Sequence, residues 1–247
     1  MRDFGANILI LFLILPLPAQ NPAFAVASLK PSQRSVGPDY NNRLTLSPTA
    51  ITGRNVTLKR LIGEAYALQP HQIAAGPSWL GVAEFDLDAK ADAPSPKPEL
   101  DRMLQTLLAE RFHLAFHRDT RELRVYQLVT TGNGPKPLPA LDATIPGATT
   151  MQEFANLLAV RLTIPSSAES DPSRPGIASG TPIPVIDQTG LAGLFQLRLE
   201  IQPEPGADMF ALLQRALPAQ LGLRLVPAKA PVQLLVIDRA DKTPLEN

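Results

Sequence analysis

The two halves of this 247-residue chain share one pattern of apolar residues. Residues 104–128 correspond without a gap to residues 213–237, and the main apolar positions recur 109 positions later. Phe85 corresponds in the same way to Phe195, 110 positions later. A pattern that recurs at a nearly constant distance is typical of repeated structural units. The sequence therefore predicts two tandem repeats of similar fold.

The same comparison predicts the domain boundaries. Thr57 corresponds to Thr150 at a distance of only 93 positions, so the second half has gained residues between Thr150 and Phe195. Residues 165–184 are rich in proline and serine, which is typical of a flexible insertion. The predicted organisation is a first repeat at 20–131, a proline-rich linker at 132–148, and a second repeat at 149–247 that carries this insertion.

Each half is predicted to belong to the α+β class, with two helices packed on a small, mainly antiparallel sheet. Leu58, Leu61 and Ile62 share one face of a helix. Phe85 and Leu87 alternate with polar residues, as in a half-buried strand. Both halves follow the order helix, strand, helix, strand, strand. This order favours helices on one face of antiparallel sheets.

Local patterns make the prediction for the first half more specific. Phe112, Leu114 and Phe116 alternate with other residues, which predicts that a strand begins at Phe112. Residues 118–122 are polar and predict a turn. Residues 123–129 are apolar on both faces and predict a strand in the middle of a sheet.

The second half carries corresponding signals. Thr150 and Glu153 have the spacing of a capping box, which predicts the start of a helix. Pro218 is predicted to end or kink the last helix, because proline lacks an amide donor and clashes with the preceding turn. After it, two strands are predicted, at 223–226 and 232–237.

Residues 1–19 have the pattern of an export signal. Arg2 precedes an apolar run that prolines interrupt well before the roughly 20 apolar residues of a membrane-spanning helix. We expect cleavage after Ala19, export to the periplasm or beyond, and no stable membrane span after cleavage. Ala23 and Ala25 also fit the small-residue rule for cleavage, and an uncleaved anchor is the alternative. The 23 basic and 23 acidic residues cancel, which argues against a nucleic-acid partner. The chain has no cysteine, so disulfides and thiolate chemistry are excluded.

Three residues could form a metal site. His113 and His117 are four positions apart, and Glu110 precedes them. Three nitrogen or oxygen ligands within eight residues are the number that a catalytic zinc ion retains. The alternative is a polar surface at a joint between a helix and a strand. A metal-dependent hydrolase or a metal-binding sensor that uses Glu110, His113 and His117 is therefore one hypothesis.

A second hypothesis is a small-ligand sensor with a pocket near Trp79, the single tryptophan of the chain. Its candidate ligand contacts are Trp79, His117 and Tyr126, and the alternative role of Trp79 is a buried plug beside a tight turn. The sequence has no G-x-S-x-G, S-x-x-K or complete glycine-rich phosphate loop, so no catalytic residue and no cofactor is predicted.

The chain also resembles a known family in blocks spread over nearly all of its length after the export signal. The most specific block is HRDTRELRVY at 117–126, and the others lie at 24–31, 55–66, 76–86, 108–114, 187–193, 220–223 and 236–238. In these blocks the chain resembles a large paralogous family of exported proteins that is abundant in Acidobacteria such as Solibacter and is built on a domain of unknown function. The resemblance implies export. It implies no established activity and no catalytic residues.

Together these observations favour a non-enzymatic module of the cell envelope. Small α+β sheets expose edge strands, and exposed edges recruit partner strands. We therefore expect a protein or peptide partner outside the cytoplasm.

Overall fold

The computed structural model describes residues 21–33, 42–132, 134–136, 138–140, 147–162, 164–165, 180–181, 183–202 and 208–245. The predicted export signal at 1–19 lies outside these residues. Within them the α-helices are α1 (Leu58–Ala65), α2 (Lys97–Phe112), α3 (Met151–Arg161) and α4 (Met209–Ala216). The strands are β1 (Val26–Pro31), β2 (Arg43–Ser47), β3 (Ala50–Thr57), β4 (Ile73–Ala75), β5 (Glu84–Lys90), β6 (Ala115–Thr130), β7 (Leu138–Pro139), β8 (Ala148–Thr149), β9 (Ile164–Pro165), β10 (Gly180–Thr181), β11 (Val185–Asp187), β12 (Phe195–Gln196) and β13 (Leu223–Arg239). The predicted α+β class is confirmed, whereas the tandem repeats stay a prediction.

The first lobe consists of α1, α2 and an antiparallel sheet with the strand order β1-β5-β3-β2. The predicted half-buried strand is confirmed as β5, in which Phe85, Leu87 and Ala89 are buried. These side chains share one core with the apolar faces of α1 and α2. Phe85 contacts Phe112 of α2 edge to face, with ring centroids 5.0 Å apart. The two helices therefore cover one face of this sheet.

A central sheet with the strand order β11-β6-β13-β4 follows the first lobe. The long strands β6 and β13 are antiparallel and pair from Thr130 and Leu223 at one end to Ala115 and Arg239 at the other. β11 pairs in parallel with residues 126–128 of β6, near one end of the long ladder. β4 pairs in parallel with residues 235–237 of β13, near the other end of the ladder. Residues 123–129 pair with β13 on one side, and residues 126–128 also pair with β11 on the other side. The strand predicted in the middle of a sheet is therefore confirmed.

The predicted turn at 118–122 is wrong. These residues continue the 16-residue strand β6, and the two strands predicted at 223–226 and 232–237 are parts of the single strand β13. Thr120, for example, pairs with Gln233. Four of these five side chains are exposed, and their partner strand β13 supplies the buried residues Val232 and Leu234 of this stretch. Pairing with a long neighbour keeps polar residues extended where their composition alone is typical of a turn.

The predicted start of a strand at Phe112 is also wrong. Phe112 is the last residue of α2, where it continues the buried face of Leu104 and Leu108 at helical spacing. His113 then takes a left-handed conformation, with φ at 46°, and ends the helix. The strand itself begins only at Ala115, so Phe112 and Leu114 do not belong to it.

The second lobe consists of α3, α4 and a short three-stranded sheet with the order β7-β12-β8. The predicted capping box is confirmed, since the Thr150 hydroxyl accepts from the Glu153 amide at 3.1 Å and the Glu153 carboxylate accepts from the Thr150 amide at 2.8 Å. The effect predicted for Pro218 is confirmed as well. α4 ends at Ala216, and a π-helix follows at Leu217–Leu221.

The stretches between the lobes contribute short strands. The predicted linker at 132–148 contains β7, which pairs with β12. At the predicted insertion 165–184, β9 and β10 pair with each other, and the residues between them, 166–179, lie outside the described part of the chain. The division into domains at these boundaries stays a prediction. Among the residues described above, no helix is long and apolar enough to cross a membrane.

Candidate functional site

The structure separates the residues of the predicted metal site. His113 Nδ1 lies 2.7 Å from a carboxylate oxygen of Asp241, and His117 Nδ1 lies 2.8 Å from one of Asp238. The hydrogen bond with His113 is the main reason that the pKa of Asp241 lies below its ordinary value. Glu110 instead lines a cavity beside β1. Within the described residues, no group of three His, Asp or Glu side chains could hold a metal ion.

The predicted ligand contacts lie in different parts of the molecule. Trp79 packs on the core of the first lobe, with its ring 6.5 Å from that of Phe85. Tyr126 packs on Phe210 beside the core of the second lobe, at 4.8 Å. His117 and Tyr126 share β6, but nine residues of strand separate them by about 30 Å. The three side chains therefore do not form one pocket.

A groove of about 520 Å³ opens on the second lobe. One wall consists of Leu197, Leu199 and Ile201, and the other is formed by α3. Phe154 and Leu158 of α3 are almost completely buried at its base, with 4% and 2% of their surface exposed. We call this site the α3 groove. Its walls are therefore mainly apolar.

The rim of the α3 groove exposes further apolar surface. Leu157 lines the groove and leaves 53% of its surface exposed, and Val160 is 48% exposed one turn further along α3. The Arg161 side chain lines the same groove and forms no ion pair with any residue that the structure describes. A single exposed leucine is ordinary, but apolar side chains beside an apolar groove are typical of a binding surface.

Residues 197–202 form the groove wall as an extended segment. Its side chains alternate between half-buried and exposed, as in a strand. No strand among the described residues pairs with it. The side-chain amide of Gln220 takes the place of a strand at one point, because it accepts from the Glu200 amide at 2.9 Å and donates to the Glu200 carbonyl at 2.7 Å. One edge of the segment is therefore capped by a side chain.

The corresponding strand of the first lobe is fully paired. Along β5, the pairing with β1 runs from Phe85 to Lys90, and β3 lies on its other edge. In the second lobe, only Phe195 and Gln196 pair with β7 and β8. Among the described residues, no strand continues this pairing along 197–202; the residues that precede Gly147, 141–146, lie outside the described part of the chain. Residues 197–202 were not predicted as part of a site, although their alternation of apolar and polar residues is a strand signal.

His71 was not predicted as a site residue either, although the structure places its ring in a mostly buried position. Burial, with a smaller effect of the Lys59 charge, lowers its pKa to about 4 from an ordinary value of 6.5. Its Nδ1 is buried and has no hydrogen-bond partner in the described structure. No feature of a catalytic site accompanies it, so we treat its effect as one on stability.

His71 is expected to make the protein less stable as the pH falls from about 6.5 to about 4. In this interval the unfolded chain binds a proton that the folded chain does not, so protons favour unfolding; above 6.5 the contribution is constant. Between pH 6.5 and pH 4, the free energy of unfolding of the His71→Gln variant should fall by about 1–2 kcal/mol less than that of the parent. This figure is reduced because the ring is partly exposed to solvent. Urea unfolding at several pH values measures the difference. An unchanged pH dependence in His71→Gln would contradict the prediction, and the exposed His117→Gln is the matched control.

By its fold, the chain is an α+β protein in which a mixed central sheet connects two lobes, each covered by two helices. The chain belongs to a family that is described as a protein of unknown function (DUF3738), which matches residues 59–240. The matched region extends from α1 to the end of β13 and includes the α3 groove. No curated protein and no solved structure matches the chain.

Proposed function

We propose that this protein is an exported, non-enzymatic module of the cell envelope that binds a protein or peptide partner in the α3 groove. The observation that carries the proposal is the extended segment 197–202, which lines an apolar groove and has no partner strand among the described residues. Backbone groups at an unpaired edge bind a partner chain well, and neighbouring apolar pockets add affinity and specificity. The export pattern at 1–19 supports a location in the envelope.

We also propose that the chain consists of the two tandem repeats at 20–131 and 149–247. Glu122 of β6 pairs with Pro231 of β13, and these two residues are counterparts 109 positions apart in the sequence comparison. When counterparts pair with each other in an antiparallel ladder, the ladder has a local two-fold axis at that point. This register supports a duplication around the centre of the long ladder.

The outer strands of the central sheet support the same duplication. Val185 of β11 pairs with Tyr126, and Ile73 of β4 pairs with Leu235. Tyr126 and Leu235 are again 109 positions apart. Each half therefore contributes the strand that lies beside the long strand of the other half. It follows that neither half alone completes its part of the central sheet.

No specific observation favours either of the two alternative functions, the metal-dependent one or the small-ligand sensor. In the metal hypothesis, His113 and His117 would need to share an ion, but each lies against a different carboxylate. In the small-ligand hypothesis, Trp79 would need an open face beside a pocket, but its ring packs on the core of the first lobe. Within the described part of the chain, the α3 groove is a site at which exposed apolar surface coincides with an extended segment that no described strand pairs with.

The proposal is tested by affinity capture with a matched pair of variants. Leu157 at the groove and Leu245 near the end of the chain are 53% and 50% exposed, so Leu157→Glu and Leu245→Glu make the same change on equally exposed side chains. The tagged chain is used to capture partners from cross-linked envelope, and mass spectrometry quantifies them. We expect Leu157→Glu to lose a stoichiometric partner by at least about tenfold, because a carboxylate at the groove must be desolvated. We expect Leu245→Glu to retain it. An equal yield with both variants, or no stoichiometric partner for the folded parent, would overturn the proposal.

A further inference from the structure

We infer that the middle of the long ladder binds an extended acidic segment of a partner protein through Arg118, Arg124 and Lys229. Arg118 and Arg124 lie on β6, and Lys229 lies opposite them on β13. None of the three residues lines the α3 groove. The inference therefore concerns a second surface and does not depend on the proposed function.

One face of the ladder is open between the two lobes. Side chains at alternate positions of a strand share a face, so Phe116, beside the core of the first lobe, and Tyr126, beside the core of the second, lie on the same face of β6. The polar residues between them on this face are all exposed: Arg118, Thr120, Glu122 and Arg124 of β6, and Lys229 and Gln233 of β13. This face is therefore an accessible polar surface.

Two cations of this surface are directly opposite each other, Arg124 and Lys229. Pro227 pairs with Tyr126 and has no amide to donate, and the Tyr126 amide donates away from the ladder, to the Pro184 carbonyl at 2.8 Å. This pair is therefore of the non-hydrogen-bonded kind, and so is the pair of Arg124 and Lys229 two residues along, because the two kinds alternate. Side chains are closest in such pairs, and like charges directly opposite each other destabilise a sheet.

The carboxylate on this face does not balance the cations. Glu122 lies 3.4 Å from Lys229, and the two side chains are 67% and 69% exposed, so their ion pair is weak. Arg118 donates to the side-chain oxygen of Gln233 at 3.5 Å. Among the residues that the structure describes, neither Arg118 nor Arg124 forms an ion pair. Three cations thus face solvent with one carboxylate between them.

The spacing of the two arginines selects an elongated ligand. Arg118 and Arg124 are separated by six residues of strand, or about 20 Å, so one small anion cannot contact both. An extended peptide spans this distance with about six residues, and its carboxylates can form charge-assisted hydrogen bonds with both guanidinium groups. A carboxylate beside Arg124 would also offset the repulsion by Lys229. A nucleic acid is disfavoured because the chain has equal numbers of basic and acidic residues, 23 of each.

The test uses two fluorescent probes, octaglutamate and triglutamate. Fluorescence anisotropy measures their binding to the full chain at physiological ionic strength, at which charges more than about 8 Å apart are largely screened. We expect octaglutamate to bind at least about tenfold more tightly than triglutamate, because only the longer peptide reaches both arginines. Equal affinities of the two probes would contradict an elongated site.

Arg121 supplies the matched control. It lies on β6 between the two arginines, but on the opposite face, where it pairs with Asp119 at 2.8 Å. Arg118→Gln and Arg124→Gln should each weaken octaglutamate binding about threefold, whereas Arg121→Gln, with the same loss of charge, should change it by less than about 1.5-fold. An equal loss in all three variants would show a general attraction of charge and would overturn the site.

Two further measurements complete the test. Arg124→Gln should unfold at the same urea concentration as the parent or at a higher one, because it removes one of two like charges; a lower midpoint would contradict the repulsion described above. Tighter binding of a single-stranded octanucleotide than of octaglutamate would overturn the assignment to an acidic peptide, and no binding of octaglutamate to the folded parent would overturn the inference as a whole. The capture experiment with Leu157→Glu tests the α3 groove independently of these results.

Discussion

Phe85→Ala is expected to lower the free energy of unfolding by about 4 kcal/mol. The side chain is 1% exposed and lies between Trp79 and Phe112, with ring centroids 6.5 and 5.0 Å away. Truncation removes its apolar contacts and leaves a cavity that the neighbouring rings cannot close, because Trp79 is held in a short 3-10 helix and Phe112 in α2. Urea unfolding followed by circular dichroism measures the change.

The matched control is the counterpart in the second lobe, Phe195→Ala. Phe195 is 8% exposed and lies in the two-residue strand β12. A smaller and more open lobe can relax around the missing ring, so we expect a loss of about 2 kcal/mol. A loss below about 1 kcal/mol for Phe85→Ala would contradict the packing described for the first lobe. Equal losses for both variants would contradict the difference in packing between the lobes.

Gly222→Ala is expected to lower the free energy of unfolding by about 3 kcal/mol. Gly222 ends the π-helix in a left-handed conformation, with φ at 63°, and leads directly into β13. A Cβ atom there would overlap the carbonyl oxygen of Gly134, which belongs to the backbone and cannot move aside as a side chain does. The backbone around this point is held by hydrogen bonds from Thr131 to Gly222 and from Lys136 to Leu221.

Gly134→Ala separates the clash from the conformational cost. Gly134 also has a positive φ, at 77°, but nothing lies within 4 Å of the position of its Cβ atom. We therefore expect a loss of only about 1 kcal/mol, the cost of a left-handed alanine. Thermal unfolding of the two variants under the same conditions gives the difference. A Gly222→Ala variant that is as stable as Gly134→Ala would show that the two backbone segments do not approach each other as described.

Elements whose cause lies in neighbouring residues were predictable from the sequence. The face formed by Leu58 and Leu61 predicted α1, and the alternation from Phe85 to Ala89 predicted β5. The capping box at Thr150 followed from one hydroxyl and one carboxylate at the correct spacing. Each of these signals depends on contacts within one or two turns or on one buried face, which a pattern of residues records directly.

Elements whose cause lies in distant residues were not predictable. Residues 118–122 look like a turn because they are polar, and they are a strand because β13, more than 100 positions away, pairs with them. His113 and His117 were considered as a pair of ligands because they are close in sequence. Their partners are Asp241 and Asp238, which the long ladder brings beside them from the end of the chain.

The sequence by itself determined the α+β class, the buried face of α1, the capping box of α3, the buried face of β5 and the apolar pattern that the two halves share. The tertiary structure decided the register of the long ladder, the strands β11 and β4 that lie beside it, and the packing of Leu197, Leu199 and Ile201 opposite α3 in the α3 groove. The physical reason is that a side-chain pattern records whether a residue meets apolar surroundings or water. It does not record which backbone supplies the hydrogen bonds at each edge, because every residue except proline offers the same donor and acceptor. An edge without a partner can therefore be recognised only when all of its neighbours in space are known.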